Sequence, residues 1–272
     1  MILLRALLFL FLVPLAAEAC GAEAPCEAGG GAYLAEVPPS AGPHPAMILL
    51  HGYGGTGAGM LRDRALVEAA LARGYAVVAP QGAPRQEGDR GGAWNSFASH
   101  ERRDDVAFLS AVADDAAARF ALDRGRMLLS GFSGGGMMAW RVACDAPAAF
   151  AAYAPVAGLL WRPLPVGCAG PVSLFHVHGW ADEVVPLEGR SVAGGRITQG
   201  DLFAGLALLR AALGCPKDEP DGYAASGPFL LRSWEGCAAG ARLALALHPG
   251  GHRIPEGWAA LALDWFEGKA AD

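Results

Sequence analysis

The stretch Arg126-Met-Leu-Leu-Ser-Gly-Phe-Ser133-Gly-Gly-Gly-Met-Met-Ala-Trp140 constrains this chain more than any other. An apolar, strand-like run breaks into glycines around one serine, and a helix-like run follows at once. A strand that turns directly into a helix holds its turn residue at strained backbone angles, and the flanking residues must be small. Gly131 and Gly135 satisfy that demand and leave the Ser133 hydroxyl at the carboxyl end of a strand. The pattern G-x-S-x-G is weak by itself. With 38 glycines in 272 residues and roughly ten serines, chance supplies about 0.2 matches. Its context has to carry the reading.

That context is an alternation of short apolar runs with longer amphipathic ones. The runs predict strands over 46–50, 75–79, 127–130, 151–155, 172–178 and 243–247, with a first strand over 33–37. Helices are predicted over 60–73, 104–120, 134–145, 201–213 and 255–267. Asp104 and Asp105 stand where carboxylates favour a helix start. Such alternation implies an α/β fold, a mostly parallel central sheet flanked by helices. No repeat or linker divides the chain, so residues 20–272 read as one domain. The segment 158–170 is too short for a large cap, which leaves an open site.

The amino terminus reads differently. Arg5 is the only charge before an apolar stretch over 6–15, and Ala17-Glu18-Ala19 offers small residues ahead of a cleavage point. Residues 1–19 therefore read as a secretory signal peptide, which places the protein in the periplasm or outside the cell. The apolar core is too short to span a bilayer comfortably, so no stable membrane insertion is expected. A lipid on Cys20 is the lesser reading, because Ala17 replaces the usual leucine and Glu18 is out of place. Six cysteines remain, and an even number in an exported chain favours disulfides. Their spacing suggests Cys20–Cys26, Cys144–Cys168 and Cys215–Cys237 among fifteen possible pairings. A formal charge of −6 without a basic tract argues against nucleic acid as a partner.

In a sheet of this kind functional groups gather after the carboxyl ends of strands. The polar outliers do so. His51-Gly-Tyr-Gly-Gly55 follows the first core strand, Ser133 the third, Asp182 the run ending at His178, and His252 the last. A serine hydroxyl needs a base to take its proton, and the base needs an acid to fix its tautomer. Ser133 as nucleophile, Asp182 as acid and His252 as base meet that need, in the order Ser…Asp…His. Glu183 and Asp201 are the substitute acids, and His248 the weaker base. The developing oxyanion needs fixed donors. Gly134 N–H, directly after the nucleophile, and Tyr53 N–H in the glycine-rich turn are the candidates, with Gly52 beside it. His51 braces that turn. Trp94 and Trp180 are candidate substrate-lining residues, whereas Met137, Met138 and Trp140 belong to the core. His176 and His178 share one strand face without a third ligand, so neither a metal nor another cofactor is expected.

These blocks, with Asp104-Asp-Val-Ala-Phe-Leu109, Ala154-Pro-Val-Ala-Gly158, His178-Gly-Trp-Ala-Asp-Glu-Val-Val-Pro186 and Gly250-Gly-His252, resemble the polyhydroxybutyrate depolymerase / feruloyl esterase family of α/β-hydrolases. The resemblance spans 46–266 with the blocks in the same order. It implies an α/β-hydrolase fold and an exported serine esterase with Ser133, Asp182 and His252 as its triad. It also implies no metal and a small-molecule or oligomeric ester as substrate. The Cys215–Cys237 pair fits the family's disulfide before the catalytic histidine. Arg253-Ile-Pro255 departs from the aromatic-proline run usual there, and Gly134 from the usual Ala or Asn. No appended polymer-binding domain is evident. A secreted serine peptidase on the same sheet and a hydrolase-like binding module without chemistry are the rival readings. Oligomeric state, preferred chain length and natural ester are open.

Overall fold

A computed structural model describes residues 20–97 and 99–269, so the proposed signal segment 1–19 lies outside the described residues. Ten strands form the main sheet: β1 (Cys26–Ala28), β2 (Gly31–Glu36), β3 (His44–Leu50), β4 (Ala76–Pro80), β5 (Leu122–Phe132), β6 (Ala152–Val156), β7 (Leu174–Gly179), β8 (Gly222–Ser226), β9 (Phe229–Trp234) and β10 (Leu243–His248). Their order across the sheet is β1-β2-β4-β3-β5-β6-β7-β10-β9-β8. The run from β4 to β10 is parallel throughout. Both margins are antiparallel, β1-β2 against β4 on one side and the β8–β9 hairpin against β10 on the other.

Among the described residues six α-helices cover the sheet: α1 (Gly57–Leu61), α2 (Arg64–Leu71), α3 (Asp105–Phe120), α4 (Gly134–Asp145), α5 (Leu202–Leu213) and α6 (Trp258–Phe266). Alternate residues of each central strand enter different layers, as a pleated strand buried on both faces requires. Ala46, Ile48 and Leu50 of β3 pack with Phe108, Trp140 and Leu206, from α3, α4 and α5. Met47 and Leu49 pack with Leu61, Leu66 and Trp258, from α1, α2 and α6. Side chains of this size contribute roughly 1.5–3 kcal/mol each on full burial, which fixes the register of the strands.

The helix predicted over 60–73 is two helices, because two caps compete within it. Thr56 accepts a hydrogen bond from Gly59 N at 2.9 Å and starts α1. Asp63 accepts from Leu66 N at 3.3 Å and starts α2. Asp104 caps α3 in agreement with expectation, accepting from Val106 N and Ala107 N, and Asp201, accepting from Ala204 N, caps α5. With Asp201 spent on α5 and Glu183 exposed, neither substitute acid faces His252. The β8–β9 hairpin had no expectation. Its outer face is open, with Tyr223 and Leu230 exposed, so the sequence carries no alternation there. The segment between β6 and α5 forms a small three-stranded sheet from Trp161–Arg162, Ser191–Val192 and Ile197–Gln199.

The three disulfides are Cys20–Cys26, Cys144–Cys168 and Cys215–Cys237, the pairs suggested by spacing. The second ties the carboxyl end of α4 to the segment that leads into β7, where Ala169 N also donates to Cys144 O at 2.8 Å. Closing a loop of that length stabilises by about 3 kcal/mol. Replacing Cys144 and Cys168 by serine is therefore expected to lower the thermal midpoint by about 6–12 °C. An unchanged midpoint in differential scanning calorimetry contradicts this.

Candidate active site

The site begins with the backbone. Ser133 lies between β5 and α4 at φ 56°, ψ −117°, a conformation that costs about 1–3 kcal/mol for a residue with a side chain. The surrounding contacts force it. A Cβ on Gly131 would stand 2.4 Å from the Gly135 carbonyl carbon, and one on Gly135 2.3 Å from Leu50 O. Only hydrogen fits at either position, so β3, β5 and α4 meet by backbone contact. Ser133 occupies the cap position of α4 but makes no side-chain cap bond, which leaves its hydroxyl free to point away from the helix.

That hydroxyl meets His252. Ser133 Oγ lies 2.9 Å from His252 Nε2, and His252 Nδ1 lies 2.8 Å from Asp182 Oδ2. An ionised carboxylate only accepts, so Nδ1 carries the proton and the Nε2 lone pair accepts from the serine hydroxyl. Asp182 Oδ1 accepts from Val184 N at 2.9 Å and Val185 N at 2.8 Å. Burial alone raises the pKa of this carboxyl. The donors His178, His252 and Val185 outweigh burial and hold it well below the usual carboxylate range. Phe132 stands against the His252 ring at a centroid distance of 4.8 Å.

Acid turn and base loop form one hydrogen-bonded unit. Trp180 N donates to His248 O at 2.7 Å, and Ala181 N to Gly250 O at 3.1 Å. A Cβ on Gly179 would stand 2.4 Å from Gly250 O, so the close approach of the two loops depends on glycine there as well. His248 has turned away from the serine; its Nδ1 accepts from Gly250 N.

Tyr53 N lies beside Gly134: a Cβ on Gly134 would stand 3.2 Å from it. Among the described residues neither N–H meets an acceptor, and the amino end of α4 adds its partial positive charge. The turn that offers Tyr53 N is held from behind. His51 Nδ1–H donates to Gly52 O at 2.8 Å, and His51 Nε2 accepts from Gly82 N at 2.9 Å. Burial lowers the pKa of that ring, in keeping with a neutral brace. Gly54 N donates to Gly92 O, and Gly92 N to Gly55 O.

Trp94 is a correction. It is 4% exposed, its indole N–H donates to His51 O at 2.8 Å, and its ring packs on His51. It supports the glycine-rich turn that carries Tyr53 from inside and lines no open surface. Trp180 is 68% exposed and borders an apolar groove with Tyr223, Leu230, Leu247 and Pro249. Sequence reasoning missed Phe132, whose contact with His252 depends on the elbow's turn. It also missed the stacked pair Phe97 and Trp161, ring centroids 4.2 Å apart, which long-range folding brings together.

Residues 64–161 match the prolyl oligopeptidase family. A putative esterase, NocK, of Nocardia uniformis subsp. tsuyamanensis is 37% identical over 157 residues, 55% of this chain and 43% of that protein. Feruloyl esterase C of Emericella nidulans is 28% identical over 153 residues, 55% of this chain and 50% of that protein. The chain thus spans half or less of the length of these two relatives. Among solved structures, acetyl xylan esterase from Aspergillus awamori superposes with TM-score 0.63 at 16% identity, covering 89% of this chain and 98% of that one. The Bacillus cereus carboxylesterase gives 0.58 at 16% identity, covering 87% and 93%. The chain has the α/β-hydrolase fold.

The depressed pKa of Asp182 has a consequence for stability. Its ionised form stabilises the folded state above the unfolded carboxylate value of about 3.9, and that contribution is lost as pH falls below it toward the folded value. The stability difference between wild type and Asp182→Asn, from urea unfolding, is expected to shrink between pH 6 and pH 3. A difference that grows on acidification contradicts the assignment.

Proposed function

We propose that this chain is a serine esterase that hydrolyses carboxylic esters through an acyl-enzyme. The observation that carries the proposal is the unbroken line from Ser133 Oγ through His252 to Asp182, beside two unpaired backbone N–H groups. Ser133 attacks the ester carbonyl while His252 Nε2 takes its proton. Charge on the carbonyl oxygen develops between Tyr53 N–H and Gly134 N–H. Collapse of the tetrahedral adduct expels the alcohol, which receives its proton from His252, and water then repeats the attack on the acyl-serine. Asp182 keeps the imidazole in the tautomer that accepts from serine and stabilises its cation.

The substrate we propose is a small or oligomeric ester, of feruloyl, acetyl or hydroxybutyrate type. Esterases with the first two kinds of name are among the similar proteins. Trp180, largely exposed two residues before Asp182, is the proposed contact for an aromatic or aliphatic part of such a molecule. Export through the segment 1–19 belongs to the same proposal, and the three disulfides support it, since such bonds persist in oxidising compartments.

A peptidase reading has one observation in its favour, the match of residues 64–161 to the prolyl oligopeptidase family. That match includes the elbow but neither Asp182 nor His252, so it bears on the nucleophile and not on the leaving group. Turnover of p-nitrophenyl butyrate beside a panel of aminoacyl arylamides separates the two readings. Ester turnover is expected, with a loss of roughly 10⁴-fold or more in kcat for Ser133→Ala. Arylamide turnover without ester turnover, or full activity in Ser133→Ala, contradicts the proposal.

A further inference from the structure

His176 and His178 take no part in the reaction just described, yet both are fully buried. They stand two residues apart on β7, so their rings share one face of the strand. His176 Nε2 lies 2.8 Å from His178 Nδ1. On its other side His176 Nδ1 accepts the indole N–H of Trp140 at 3.0 Å. The far nitrogen of His178, Nε2, lies 2.7 Å from Val185 O and 3.4 Å from Asp182 Oδ2.

The protons in this row run in one direction. An indole nitrogen only donates, so His176 Nδ1 is bare and its Nε2 carries the hydrogen. His178 Nδ1 must then accept, and His178 Nε2–H points at the acid turn. The reverse order would require Val185 O to donate, which a carbonyl cannot do. The row is therefore polarised from end to end, and each of its four ring nitrogens is in use. It joins two parts of the site through three side chains and the Val185 carbonyl. Trp140 belongs to α4, the helix that starts at the Ser133 elbow, and Val185 belongs to the turn that holds Asp182.

We propose that Trp140, His176 and His178 form a one-way hydrogen-bond row that sets the acid turn in register with the nucleophile helix, which makes the two histidines positioning residues for the triad. The proposal rests on the assignment of Ser133, His252 and Asp182 above. Val185 is gripped from both sides: its N–H donates to Asp182 Oδ1 and its carbonyl accepts from His178. A shift of His178 therefore moves the carboxylate that orients His252. Burial, and secondarily the neighbouring His178, lowers the pKa of His176, so a second proton does not compete with the Trp140 bond. The titratable group that faces the pair is Asp182, with His252 bonded to it; His248 on β10 pairs with Gly179 and so projects from the opposite face of the sheet. A shared metal ion would need bare nitrogens converging on one point, whereas here they face each other and an indole N–H.

The test combines tautomer and kinetics. In ¹⁵N NMR of wild type and of Ser133→Ala at pH 7, both His176 and His178 are expected as Nε2–H tautomers. An Nδ1–H tautomer at either ring overturns the row. His178→Phe retains an aromatic ring but no donor, and is expected to lower kcat about ten-fold or more with KM within about two-fold. His178→Gln, with an amide donor for Val185 O, is expected to recover most of that loss. Trp140→Phe removes the directing N–H together with part of a buried ring, and a mixed His176 tautomer is expected. Equal kcat in His178→Phe and wild type, or equal loss in His178→Phe and His178→Gln, overturns the positioning role. The rate of Ser133 labelling by a fluorophosphonate is read in every variant. Wild type that labels at Ser133 but turns over no ester refutes the esterase reading alone, and the NMR and labelling rates still decide the row.

Discussion

The site depends on a contact in which no side chain takes part. Helix α4 approaches β3 and β5 so closely that the carbonyls of Leu50 and Gly135 occupy the places where Cβ atoms of Gly135 and Gly131 would be. This contact drives Ser133 to positive φ, and the strain of about 1–3 kcal/mol is borne by the burial of β3, β5 and α4 around it. One backbone arrangement thereby lifts the hydroxyl clear of the sheet at the start of α4. It also brings the turn after β3 beside the elbow, so Tyr53 N comes within reach of Gly134. The proposed nucleophile and oxyanion donors are thus consequences of one packing event. A larger residue at 131 or 135 would remove both together.

The acid and the base rest on a second arrangement, the parallel pairing of β7 with β10. Their register sets Gly179 beside His248, so the two loops leave the sheet together and exchange backbone hydrogen bonds before either functional side chain is reached. Asp182 then sits in a turn that supplies two N–H donors to one of its oxygens and leaves the other for His252. The buried carboxylate is tolerable because donors surround it, and its low proton affinity keeps it ionised while it orients the imidazole. The row from Trp140 to Val185 adds a link between this arrangement and the elbow. The triad is accordingly held through backbone on two sides and through buried polar side chains across the middle.

Much of this was legible in residues that have no alternative use. A serine between glycines at the end of an apolar run, an aspartate after a strand ending in His-Gly, and a histidine preceded by two glycines mark strand ends, and the fold brings Ser133, Asp182 and His252 to hydrogen-bond distance. Asp104 announced its helix because a capping carboxylate acts locally. Three features were not legible, each for a physical reason. The break between α1 and α2 depends on Asp63 capping within a sequence whose apolar spacing suits one helix. The β8–β9 hairpin lies at a sheet margin with an open face, so its residues need not alternate. Trp94 resembles a pocket aromatic in sequence, and only its long-range bond to His51 O reveals a brace. His176 and His178 show the same limit: their spacing placed them on one face, but Trp140, which decides their tautomers, is distant in sequence.

The claim on which the account stands is that Ser133, activated by His252, becomes acylated during ester hydrolysis. Rapid-quench mass spectrometry with a p-nitrophenyl ester tests it directly. The account predicts a burst of p-nitrophenol close to one equivalent per enzyme when deacylation is the slower step, and an acyl mass on the peptide that carries Ser133 in any case. Turnover of the ester with no acyl adduct at any quench time, or with the adduct on another residue, would contradict it.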